Sequence, residues 1–149
     1  MKDDVKTILV PVDFSENSKK ILHDAEKFAA KFEATLSLIF VVQSFDDYSG
    51  FFVPHMPIAQ FQDDLLTSSR EKMDNFVEDN LSADTKFATN VSVGDVAEEI
   101  ISFAETSNAD MIIMGTHGYK GLERVLFGSV AEQVVKTAPC PVLTINPYK

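Results

Sequence analysis

Two hydrophobic patterns alternate along the chain. Short unbroken apolar runs rich in β-branched residues are separated by longer stretches in which apolar positions recur every three or four residues. Residues 7–12 (TILVPV) form the first run and predict a strand buried on both faces. Asp13, Phe14 and Ser15 end it, and Ser15 is placed to cap the helix that follows. In that helix Ile21, Leu22, Ala25, Phe28, Ala29 and Phe32 fall on one face, with Lys19, Lys20, Glu26, Lys27 and Lys31 on the other. Residues 35–42 (TLSLIFVV) predict a second strand. Residues 43–57 lack any period and hold Gly50, Pro54 and Pro57. They predict a long loop of the kind that forms lids or interfaces, with Phe51, Phe52 and Val53 packing on a partner or folding back. Ile58, Phe61, Leu65, Met73, Phe76 and Val77 mark a long helix over 58–81. Residues 86–93 alternate and predict a half-buried strand, and residues 95–107 predict a helix with Val96, Ile100, Ile101 and Ala104 inward. Residues 111–114 (MIIM) are a short apolar strand ending at Gly115. A glycine-containing loop then runs to Phe127, a helix covers 128–137, and residues 140–145 (CPVLTI) predict the last strand.

Strands alternating with helices define a three-layer α/β domain, a doubly wound sheet of five mainly parallel strands with helices on both faces. The 149 residues fit one domain, residues 1–149, with no internal repeat or shift in composition. Charge adds a constraint. Thirteen basic against 23 acidic residues leaves a net charge of −10, which argues against nucleic acid or an anionic membrane surface as partner. A small anion remains possible, because the backbone N–H groups of a helix N-terminus attract it without any basic side chain. The single cysteine, Cys140, excludes an internal disulfide and a multi-cysteine metal site, and its apolar setting predicts a buried, inert thiol. No His/Cys pair has metal-ligand spacing. The opening residues carry no secretory h-region, and no apolar run approaches the ~20 residues of a membrane span, so a cytoplasmic protein is expected.

Ligands of doubly wound sheets sit outside the carboxyl ends of the strands. Two strand ends look unlike plain connections: Pro11-Val12-Asp13, and Met114-Gly115-Thr116-His117-Gly118 continuing to Gly128-Ser129-Val130-Ala131. Gly115 and Gly118 permit a tight turn and close backbone approach, and the N–H groups opening the helix at Gly128, with the Ser129 hydroxyl, suit phosphate oxygens. Lys120 and Arg124 supply mobile positive charge above such phosphates or are simply solvated, and the Arg124 fork of donors suits phosphate oxygens. The same glycines also make an ordinary β–α turn with a serine cap. No Walker A sequence is present, so any phosphate grip differs from a P-loop.

The spacing Gly115-x2-Gly118-x9-Gly128-Ser129 resembles the nucleotide-binding motif of the universal stress protein family. The likeness extends over ILVPVDFS (8–15), VGDVAEEI (93–100), ADMIIMGTHG (109–118) and GSVAEQVVKTAPCPVL (128–143), nearly the whole chain, and points to the subgroup that keeps the full motif and binds ATP. It implies a Rossmann-like fold and, position by position, a set of ligand contacts. Pro11, Val12 and Asp13 would line the adenosine pocket, with Asp13 near the ribose. Val41 would meet the adenine, and Gly94 would lie beside the nucleoside. Met114, Gly115 and Thr116 would floor the ribose and phosphates. His117, Gly118, Gly128, Ser129, Val130 and Ala131 would contact the phosphates, with Arg124 a further candidate from its donor chemistry. The resemblance also implies a homodimer through the last strand, residues 142–146 (VLTIN), and an unidentified signalling partner.

The implied ligand is ATP, or ADP or AMP, with Mg2+ arriving on the phosphates. The phosphate segment has no clear catalytic base, Glu123 being a candidate on paper only, so binding and regulation in stress response are expected rather than catalysis. A slow ATPase and a nucleotide-independent interaction module using the 43–57 loop are the alternatives. Residues 111–131 carry Lys120 and Arg124 against Glu123 alone, so the acid excess lies elsewhere in the chain.

Overall fold

The computed structural model describes residues 3–43, 58–116 and 128–149. Among these residues five strands and four helices alternate: β1 (Thr7–Pro11), α1 (Glu16–Phe32), β2 (Thr35–Gln43), α2 (Ile58–Asn80), β3 (Phe87–Gly94), α3 (Val96–Thr106), β4 (Met111–Gly115), α4 (Gly128–Thr137) and β5 (Val142–Ile145). All four pairings are parallel, and the strand order is β3-β2-β1-β4-β5. The sheet grows one way from β1 to β3 and then reverses to place β4 on the other side of β1.

Period-two alternation sorts the side chains into two cores. Ile8, Val10, Leu36, Leu38 and Ile113 face Ile21, Leu22 and Ala25 of α1 and Met73, Phe76 and Val77 of α2. Leu9, Ile39, Ile112 and Met114 face Ala97, Ile100 and Ala104 of α3 and Ala131 and Val134 of α4. The central residues Ile8, Leu9 and Val10 are wholly buried, as the unbroken apolar run requires. Truncating a residue such as Leu22 to alanine would cost about 2–5 kcal/mol.

The helix starts follow local chemistry. Ser15 caps α1 and its side chain accepts from Ser18 N–H, while Asp95 caps α3 and accepts from Glu98 N–H. Asp110 sets the register of β1 against β4, because its Oδ2 accepts the backbone N–H groups of Lys6 and Thr7 at 2.9 and 3.0 Å.

Four expectations need correction. Phe32 is 44% and Phe61 40% exposed, although helical spacing places both on apolar faces. Phe32 is the last residue of α1, and Phe61 lies in the first turn of α2. β3 does not alternate cleanly: residues 87–89 are open to solvent, as the outer position of an edge strand permits. Cys140 is only partly buried, since it precedes β5 at the other edge.

Candidate functional site

The reversal of strand order lies between β1 and β4, where helices leave to opposite faces and a crevice opens at the carboxyl ends. Pro11 sharpens it. Val12 N–H donates to Ile39 O of β2, so by alternation the missing N–H of Pro11 faces β4. The β1–β4 ladder accordingly holds only Ile8–Met111 and Leu9–Ile112, while β1 pairs with β2 as far as Pro11–Ile39.

Asp13 follows at the β1 exit. Its Oδ1 accepts Ser15 N–H at 2.9 Å and the Ser18 hydroxyl at 2.7 Å, and its own N–H donates to Ser18 Oγ at 2.8 Å. Oδ2 has no partner among the described residues. This turn depends on Phe14, whose φ of 64° lies in the left-handed region. The strain is held by packing: the Phe14 ring centroid is 4.5 Å from that of Phe40 and 5.6 Å from that of Phe76.

Across the crevice, β4 ends at Gly115, and Thr116 N–H donates to Ile145 O of β5. α4 begins at Gly128. A Cβ built there meets no described atom within 4 Å, and the position lies at the positive end of the helix dipole. Ser129 is exposed and Ala131 buried. The third strand end is also special. Gly94 has φ 154°, and a Cβ there would lie 2.6 Å from Glu99 Oε1.

Pro11, Val12, Asp13, Val41, Gly94, Met114, Gly115, Thr116, Gly128, Ser129, Val130 and Ala131 thus all lie along the carboxyl edge of the sheet or at the start of α4. Met114 is wholly buried and Val12, Val41 and Ala131 nearly so, which limits these four to shaping the floor. His117, Gly118 and Arg124, with Lys120 and Glu123, lie outside the described residues, as does the 44–57 stretch of the expected loop. Sequence reasoning took Ser15 as the cap and passed over Ser18. The missed signal was a second serine five residues after Asp13, one helical turn past the cap.

The crevice is chemically polarised. On the β1 side, a carboxylate oxygen offers acceptors only and suits hydroxyl or amine donors. On the α4 side, the N–H groups that open the helix, at the positive end of its dipole, suit an anion. A ligand carrying hydroxyls at one end and negative charge at the other satisfies both. Among the described residues, no group of three His, Cys, Asp or Glu is arranged to hold a metal ion. A surface depression of about 650 Å³ lies at the amino end of the sheet. It forms around Glu26, whose Oε1 accepts Ser82 N–H at 2.9 Å, Ser82 Oγ at 3.1 Å and Thr85 Oγ1 at 2.7 Å. These bonds staple α1 to the turn before β3. Burial raises the Glu26 pKa, but hydrogen bonds from Ser82 and Thr85 and the nearby His23 outweigh it and leave it below the usual carboxylate value.

A parallel sheet in the order 3-2-1-4-5, with its reversal at β1/β4, defines a Rossmann-like α/β protein. The chain belongs to the universal stress protein family, whose model matches residues 4–146. Universal stress protein MJ0531 of Methanocaldococcus jannaschii is 37% identical over 146 residues, covering 97% of this chain and 84% of its own. Universal stress protein MJ0577 of the same organism is 31% identical over 153 residues, covering 95% and 94%. The solved structure of MJ0577 superposes with a TM-score of 0.77 at 30% identity over 95% of each chain. UspA from Lactobacillus plantarum superposes at 0.73 with 25% identity, covering 97% of this chain and all of its own.

Proposed function

We propose that the protein is an ATP-binding regulator in stress response, working as a homodimer. One observation carries the nucleotide reading. The β1/β4 reversal brings Asp13 and the two ends of the motif, Gly115 and Gly128-Ser129, to one crevice although more than 100 residues separate them in the chain. In this reading Asp13 takes the ribose hydroxyls, Val41 and Gly94 flank the base, and the glycine N–H groups with Ser129 hold the phosphates. His117, Gly118 and Arg124 contribute from the intervening segment, and the positive charge of Lys120 and Arg124 favours the triphosphate over AMP. Solved universal stress proteins of this fold include one in complex with cAMP and one, from Archaeoglobus fulgidus, in complex with dAMP. At 21% and 19% identity they speak for what the fold accommodates. Mg2+ fits as a companion of the phosphates, which would supply oxygen ligands that the described side chains do not.

Isothermal titration of the purified protein with ATP, and chromatography of acid-released nucleotide, test this reading. The wild type binds ATP, and Gly128→Val abolishes binding while circular dichroism stays unchanged, because the added side chain enters the open space at the head of α4. Unchanged affinity in Gly128→Val sinks the site assignment. Phosphate release followed over hours separates a binding protein from a slow ATPase.

A further inference from the structure

Ser18 is 7% exposed, and nothing in helix propensity calls for a buried hydroxyl there. Its hydrogen-bond partners fix how it is oriented. Asp13 N–H can only donate, so Ser18 Oγ accepts that bond at 2.8 Å. The single Ser18 proton then goes to Asp13 Oδ1 at 2.7 Å. With Ser15 N–H also on Oδ1 at 2.9 Å, that oxygen has two donors, while Oδ2 has none among the described residues.

We propose that Ser18 is a positioning residue for ligand recognition: it clamps the Asp13 backbone and saturates Oδ1, so that Oδ2 alone is presented to the hydroxyl pair of a ribonucleoside. The inference rests on the nucleotide reading above and assigns a role to a side chain that reading leaves out. Its chemical content is selectivity. An acceptor-only oxygen held in one plane rewards a ligand with hydroxyl donors and leaves one without them no substitute. Losing the clamp frees the carboxylate to rotate, and the loss falls on ligands that use it. Ser15→Ala provides a control of similar structural cost. It removes the α1 cap, whose hydroxyl accepts Ser18 N–H at 3.2 Å, but leaves both donors to Asp13 Oδ1 in place.

The experiment measures dissociation constants of the full chain for ATP and for 2′,3′-dideoxy-ATP, which lacks both ribose hydroxyls. Wild type prefers ATP. Ser18→Ala weakens ATP about tenfold and leaves the dideoxy ligand unchanged, whereas Ser15→Ala keeps the wild-type ratio. In an Asp13→Asn background, Ser18→Ala adds no further loss. If Ser18→Ala weakens both ligands equally, or neither, in a protein that still binds ATP, the positioning role is overturned and the nucleotide reading stands. If the wild type binds neither ligand, both fall together.

Discussion

Three residues hold conformations that their neighbours must enforce, and two of them make sharp predictions. Gly94, at φ 154° with Glu99 Oε1 2.6 Å from a hypothetical Cβ, accepts a side chain only with backbone strain and a shift of Glu99. Gly94→Ala should lose about 1–3 kcal/mol by urea denaturation, with the Glu99 side chain displaced. Phe14 is held left-handed by Phe40 and Phe76, so the two distant rings help to aim Asp13. Glu26 predicts a pH dependence. Its folded-state pKa lies below the unfolded value, so its contribution is present in full above that unfolded value, about 4.3. It is lost as pH falls through the lower folded value. Wild-type and Glu26→Gln melts should therefore differ near neutrality, by about 1 kcal/mol for a charged acceptor that remains partly exposed. The difference should shrink below pH ~4.

At the level of elements, most of what the hydrophobic pattern predicts is present within a residue or two. The physical reason is that each strand here is either an unbroken apolar run or bounded by a residue with a single structural use. Ser15 was legible as a cap because a serine before a periodic apolar face has few other roles. Ser15→Ala should destabilise by about 1 kcal/mol in thermal melts. The α1 C-terminus was less legible. Glu33 sits at φ 56°, a position that usually takes glycine, so Glu33→Gly should stabilise the fold by about 0.5–1 kcal/mol. No rule of periodicity marks a left-handed glutamate. Exposure at Phe32, Phe61 and β3 was also illegible. Helical and alternating spacing states which face a residue occupies, and only the assembled layers decide where cover stops. The site divides the same way. The motif positions were readable as spacing, whereas the Ser18 clamp depends on a side-chain proton whose direction only the hydrogen-bond partners reveal.

For the whole molecule, the two sheet edges differ. β3 presents exposed residues over its first half, including Phe87, whereas β5 carries Val142, Leu143 and Ile145, all partly buried, with exposed Val135 on the adjacent α4. An apolar edge of this kind invites a second strand, which supports the proposed dimer through residues 142–146. Light scattering of Leu143→Asp should then report a monomer, and a variant of unchanged mass would rule that interface out. The edge also lies close to the crevice through the chain end. Tyr148, three residues past β5, accepts a hydrogen bond from Asn17 Nδ2 at 3.1 Å in the first turn of α1, and Lys20 Nζ donates to Pro147 O at 3.3 Å. No helix among the described residues is long and apolar enough to cross a membrane.

The proline at the end of β1 has a mechanical consequence. With only Ile8–Met111 and Leu9–Ile112 laddered between them, β1 and β4 meet along the shortest seam in the sheet, and Asp110 pins that seam at its amino end. Backbone pairing across the seam is thus confined to its amino end, and at the other end Asp13 follows β1 while Gly115 closes β4. A molecule gripped by both ends would act as a clasp across the seam. Amide exchange should be fastest on the β4 side of that line in the empty protein and slow there when it is filled.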